Sequence, residues 1–204
     1  LFLDVDLTLG ELRRDLKRDI LAHITRDRLM EMKVHQALVE AKGLHLLVMG
    51  QPDGPGCYWA SNQHLAMTMD KLADNYRYIL VDNEAGMEHL SRMNLRSIDL
   101  LLVVSDPSAR GILTAKRISE LTKPLKIEIK EKFLIVNRAP DPLPEALSDK
   151  IKETTENTEL PLAGILSSSD QLIEQELSGK SYLNLADDAA VIQQAYEIFS
   201  KIIK

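Results

Sequence analysis

The 204-residue chain reads as an α/β protein, with a mostly parallel sheet covered by helices on both faces. Three observations predict this. Short apolar runs recur at residues 1–5, 44–50, 78–81, 98–104, 133–136 and 162–166, and most are continuous rather than alternating, as in strands buried on both faces. The stretches between them carry apolar residues at helical spacing among charges. Alternation of the two argues for parallel strands joined by crossover helices. Apolar residues make up 45% of the chain, enough for a sizeable core, and the length suits one domain over residues 1–204.

Charge and composition narrow the classes further. The net charge is −6, which argues against a surface built for nucleic acid. A single cysteine gives no disulfide framework within one chain and suits a reducing compartment. No apolar run has the length of a membrane span and no signal peptide is visible. The expectation is a cytoplasmic protein with no membrane or nucleic-acid partner.

Taken in order, Leu1 to Val5 is a strand running into Asp4-Val5-Asp6. Carboxylates two apart on a strand share a face, so the pair either faces a ligand or opens a polar loop. The chain starts within this strand, without Met, and a segment upstream is expected. From Gly10 to about Glu40 the spacing of Leu12, Leu16, Ile20, Ile24, Val34 and Leu38 predicts helix. The basic cluster Arg13, Arg14, Lys17 and Arg18 is interleaved with acids and lacks aromatic platforms, so it reads as a solvated face. Leu44 to Gly50 is a short strand. The loop after it, rich in Gly and Pro, holds the lone Cys57 beside the lone Trp59. Ser61 to Asn75 is helical, with Met67 and Met69 as core filler.

Tyr78-Ile79-Leu80-Val81 has the composition of a buried strand. It ends at Asp82, and Gly86 follows four residues later. An acid at the C-terminal end of a parallel strand stands where open α/β sheets bind ligands; a polar turn would leave the same trace. Ser97 to Val104 is the next strand, and Ser105-Asp106-Pro107-Ser108 leads into a helix through Glu120. Lys132 to Val136 is a strand ending in Asn137-Arg138. Residues 139–159, with Pro140, Pro142 and Pro144, read as a loop and an exposed helix. Pro161 to Leu166 is the last strand, and helices follow over 172–180 and 189–204, the second with a packing face of Val191, Ala195, Ile198, Phe199 and Ile202.

The eleven residues Asp82-Asn83-Glu84-Ala85-Gly86-Met87-Glu88-His89-Leu90-Ser91-Arg92 resemble the switch II segment of CooC-type ATPases. These are MinD-like P-loop proteins that assist nickel insertion into carbon monoxide dehydrogenase. Asp99 to Gly111 is similar to the same group, in the right order and at the right distance. The resemblance implies a P-loop NTPase fold, ATP and Mg²⁺ as cofactors, a nucleotide-linked homodimer, and the dehydrogenase or a related nickel enzyme as partner. Asp6 would orient the attacking water with Asp4 in support. Asp82 would hold Mg²⁺ through water, Gly86 would sense the γ-phosphate, and Asn137, with Arg138, would recognise the adenine edge, for which an amide offers both donor and acceptor.

The loop Gly54-Pro55-Gly56-Cys57 resembles the metal loop of this group, in which a Cys-x-Cys pair from each subunit supplies four thiolates, a natural set for Zn²⁺ and possible for Ni²⁺. Trp59 stands at the second cysteine position, and an indole cannot ligate a metal. A symmetric dimer would offer two Cys57 thiolates, and His64 from each subunit could complete a four-ligand set. Ser167-Ser168-Ser169-Asp170 replaces the proline-containing turn that this group places near the base. No Gly-x-x-x-x-Gly-Lys-[Ser/Thr] occurs in the chain. The resemblance puts that loop, with its central strand, upstream of Leu1. The alternatives are a degenerate, non-hydrolysing adaptor of the same fold and a partition or placement ATPase.

Overall fold

The structure is a computed structural model that describes residues 5, 8, 11, 26–41, 43–48, 72, 75–83, 97–124, 127–156 and 158–203. The chain divides into two compact units, one of residues 3–94 and one of residues 95–204.

Within residues 3–94, helix α1 spans Arg26–Ala37 and buries Val34 and Ala37. Strands β1 (Val39–Ala41) and β2 (Leu44–Leu46) pair antiparallel, with Ala41 opposite Leu44. Gly43 at the turn has φ +80°, a conformation that costs an L side chain energy and glycine nothing. The expected helix to Glu40 thus stops before a hairpin. Upstream, Thr8 and Glu11 bond reciprocally: Glu11 N–H donates to Thr8 Oγ1 at 3.3 Å and Thr8 N–H to Glu11 Oε2 at 2.9 Å. This is the capping box of a helix start.

Tyr78-Ile79-Leu80-Val81 corrects an expectation. The run is not a buried strand: no ladder among the described residues takes it up, and Leu80 is 89% exposed. Composition marks a segment that would suit a sheet interior, but burial needs a partner strand on each side. The run has none among the described residues.

Residues 95–204 show the expected class. Strand β3 (Ser97–Ser105) leads to helix α2 (Ala109–Leu121), strand β4 (Glu128–Ala139), helix α3 (Glu145–Thr155), strand β5 (Leu162–Ser167), helix α4 (Asp170–Leu177), a short 3₁₀ turn (Tyr182–Asn184) and helix α5 (Ala190–Ile202). The sheet order is β3-β4-β5, and both pairs are parallel. Alternate residues of each strand enter opposite cores. Val103, Leu134 and Val136 pack with Ile112 and Ala115 of α2 and Ile151 of α3. On the other face Leu100, Leu102, Phe133 and Ile135 pack with Ile198 and Ile202 of α5. That two-sided burial explains why the runs at 98–104 and 133–136 lack polar alternation. Among the described residues, no helix is long and apolar enough to cross a membrane.

Candidate functional site at the C-terminal edge of the parallel sheet

The register brings three strand exits together. Ser105 lies opposite Val136, and Val136 opposite Ile165. Neighbouring strands lie about 4.8 Å apart, so Asp106 and Asn137 leave the sheet side by side. The Ser167-Ser168-Ser169 exit of β5 flanks Asn137 on the other side. In parallel sheets this edge is where ligands bind, because loops there are free of the ladder while their anchors are rigid.

The first exit is a helix cap. Ser108 Oγ accepts Gly111 N–H at 2.9 Å and donates to Asp106 Oδ1 at 2.5 Å, and Ser108 N–H donates to the same oxygen at 3.0 Å. A serine at this position satisfies one of the unpaired amides at the start of α2. Gly111 leaves room for the carboxylate, since a Cβ there would come within 2.3 Å of Asp106 Oδ1. The two donations from Ser108, its hydroxyl first and its backbone second, hold the Asp106 carboxyl below its ordinary value of 3.8. A depressed folded-state value contributes stability above the unfolded value, and that stability is lost as pH falls through the folded one. Thermal stability of the wild type is therefore expected to fall as pH drops below 3.8, and Asp106→Asn to lack this component. Melting curves of the two proteins across that range check it; parallel curves would remove the role of Asp106.

The second exit carries a backbone irregularity. Between Val136, opposite Ile165, and Ala139, opposite Ser167, β4 holds one residue more than β5. The bulge is Asn137-Arg138, and Arg138 has φ +58°. Left-handed backbone is uncommon for a residue with a Cβ, and bulges turn a side chain away from the pleat. Arg138 N–H donates to Asn137 Oδ1 at 2.9 Å. That bond pins the amide, leaving the Nδ2 hydrogens and one lone pair of Oδ1 without a protein partner among the described residues. A donor and an acceptor thus stand together at the sheet edge.

The third exit closes around β4. Ser168 N–H donates to Ala139 O at 2.8 Å, and Ser169 Oγ caps α4 by accepting Leu172 N–H at 3.3 Å. Beyond α4, Tyr182 shares its surroundings with Glu176 and Arg138. Desolvation, then the Glu176 charge and the hydrogen bond to it, push the Tyr182 phenol up, while Arg138 pulls it the other way. The phenol is therefore a neutral donor at ordinary pH. Sequence reasoning missed this tyrosine, because its distance from Arg138 along the chain carries no periodic signal.

Asp82 lies in residues 3–94, exposed, and Asn83 Nδ2 beside it donates to Val81 O at 3.3 Å. Asp4, Asp6, Cys57, His64 and Gly86 lie outside the described residues. Among the described residues, no three His, Cys, Asp or Glu side chains stand together as a metal site.

No family model matches the chain. It is 35% identical to an uncharacterized ATP-binding protein of Methanocaldococcus jannaschii over 205 residues, covering 98% of this chain and 79% of that protein. It is 33% identical to the carbon monoxide dehydrogenase accessory protein CooC of Rhodospirillum rubrum over 96 residues, 46% of this chain and 36% of CooC. Among solved structures, a ParA family ATPase from Chlorobium tepidum aligns with 100% of this chain and 78% of its own at a TM-score of 0.69 and 18% identity. The cell division ATPase MinD of Pyrococcus furiosus aligns with 98% of this chain and 76% of its own at a TM-score of 0.62 and 18% identity.

Proposed function

We propose that the chain, which belongs to a family of ATP-binding proteins and has the fold of the MinD and ParA ATPases, binds Mg-ATP and serves nickel-enzyme maturation, with carbon monoxide dehydrogenase as client. The observation that carries the nucleotide part is the Asn137-Arg138 bulge. A pinned amide whose second acceptor lane and donors are open among the described residues matches the N7 acceptor and N6 donor of an adenine edge, and Arg138 adds a cation beside it. The ATP-binding relative in Methanocaldococcus jannaschii, similar over 98% of this chain, supports the same reading.

In this reading Asp82 would help to hold Mg²⁺, and the ion would supply positive charge to neutralise the phosphates. Asp6, supported by Asp4, accepts a hydrogen bond from the attacking water, and the Gly86 backbone approaches the γ-phosphate. Two subunits close around the nucleotide. Cys57 of each, in the Gly54-Pro55-Gly56-Cys57 loop, would grip Ni²⁺ or Zn²⁺ as cargo. The partial similarity to CooC and that loop support the client; the nucleotide site does not depend on it.

Calorimetric titration of the natural full-length protein tests both parts. Mg-ATP is expected to bind, and Asn137→Asp to weaken it about tenfold with the melting temperature kept. The aspartate preserves the acceptor for Arg138 N–H and removes the donor. Absence of binding to the wild type would overturn the ATPase reading and favour the non-hydrolysing adaptor. The maturation part is read with nickel-free dehydrogenase: activation by Ni²⁺ should rise when the protein and Mg-ATP are both present. Normal ATP binding with no such rise would remove the client and leave the ATPase.

A further inference from the structure

β5 is the edge of the three-stranded sheet among the described residues, and an edge strand presents backbone groups with no ladder partner. At its last residue that gap is filled from a helix. Gln194 of α5 accepts Ser167 N–H on Oε1 at 3.0 Å, and its Nε2 donates to Ser167 Oγ at 3.3 Å. The side-chain amide does here what a neighbouring strand would do. One residue on, Ser168 N–H turns inward to Ala139 O at 2.8 Å, and Ala139 closes the bulge that presents Asn137. Hydrogen bonds thus tie α5 to the end of β5 and β5 to Ala139 O, two residues along β4 from Asn137.

α5 is itself held in place one turn further along. Ile198 lies four residues after Gln194, on the same helix face. It packs so closely on Gly164 that a Cβ there would come within 2.4 Å of Ile198 Cγ1. The apolar contact sets the height of the helix over β5, and the amide sets the register of the strand end.

We infer that Gln194 is a positioning residue for the nucleotide base: it holds Ser167, and through Ser168 and Ala139 it fixes the bulge that aims Asn137. The inference rests on the nucleotide reading of Asn137. It differs from a plain stability role in what it changes. A structural prop alters how much protein is folded, whereas a prop for the base edge alters the preference between adenine and guanine nucleotides, which present different donors and acceptors to one amide.

The test uses the natural full-length protein, with Kd for Mg-ATP and Mg-GTP measured by calorimetry well below the melting temperature of each variant. Gln194→Leu removes both bonds to Ser167 and is expected to reduce the ATP-over-GTP preference about five- to tenfold. Gln194→Glu can still accept from Ser167 N–H and from a rotated Ser167 hydroxyl, and is expected to keep the preference. If Gln194→Leu keeps the wild-type preference while Asn137→Asp loses it, the role of Gln194 is overturned and the nucleotide reading stands. Loss of the preference to the same degree in Gln194→Leu and Gln194→Glu would also overturn it. If the wild type binds neither nucleotide, both inferences fall together.

Discussion

Leu134→Ala is expected to lower the free energy of unfolding by about 2–5 kcal/mol, the range for deleting a buried leucine side chain where the site cannot collapse. Leu134 is 0% exposed and sits on the middle strand, opposite Val103 on one side and Leu162 on the other. Its side chain belongs to the core that joins the sheet to α2 and α3. Its backbone N–H is also committed, to Pro161 O at 2.8 Å, so the strand cannot slide to fill the space. Urea unfolding with an unchanged m-value measures the loss. Val104→Ala is the control: Val104 is 59% exposed and its truncation should change stability by less than about 0.5 kcal/mol. Equal losses at the two positions would mean that the faces of β3 and β4 are assigned the wrong way round.

Gly164→Ala is expected to cost about 1–3 kcal/mol through overpacking, although alanine ordinarily suits a strand better than glycine. The added methyl meets Ile198 at Cγ1, within 2.4 Å, and at Cδ1, within 2.6 Å. Cγ1 stands next to the branched Cβ, where rotamer freedom is least, so α5 has to move away from β5. The diagnostic measurement is a double-mutant cycle with Ile198→Ala. The two changes remove and add volume at one point, so the double variant should be more stable than the sum of the singles predicts. Simple additivity would show that the helix contacts the strand elsewhere. Because Gln194 rides on the same helix face, Gly164→Ala should also disturb the bond to Ser167.

Some features of the site were legible in advance and others were not, for identifiable reasons. The end of a buried apolar run at Asn137 is a local fact, whereas its role toward adenine came only from the family resemblance. The bulge that gives the amide its direction was invisible, since it exists only as a mismatch between β4 and β5. Arg138 has an unremarkable neighbourhood in sequence yet sits at φ +58°. Gln194 looked like any polar residue on a helix, and its partner is 27 residues away. The run Tyr78 to Val81 shows the converse error. Its composition was read correctly as strand-forming, but composition does not say whether neighbours exist to bury it.

Legible along the chain were the alternation of strand and helix in residues 95–204, the two-sided burial of β3 and β4, and the strand-to-helix turn that opens α2. All of these depend on residues a few positions apart, where spacing maps directly onto geometry. Long-range pairing set the order β3-β4-β5, the side-by-side exits of Asp106 and Asn137, the orientation of the Asn137 amide, and the bond of Gln194 to the end of β5, an edge among the described residues. Those are settled by pairing across long stretches of chain. The energy that selects them comes from hydrogen bonds and close packing between residues whose separation carries no period.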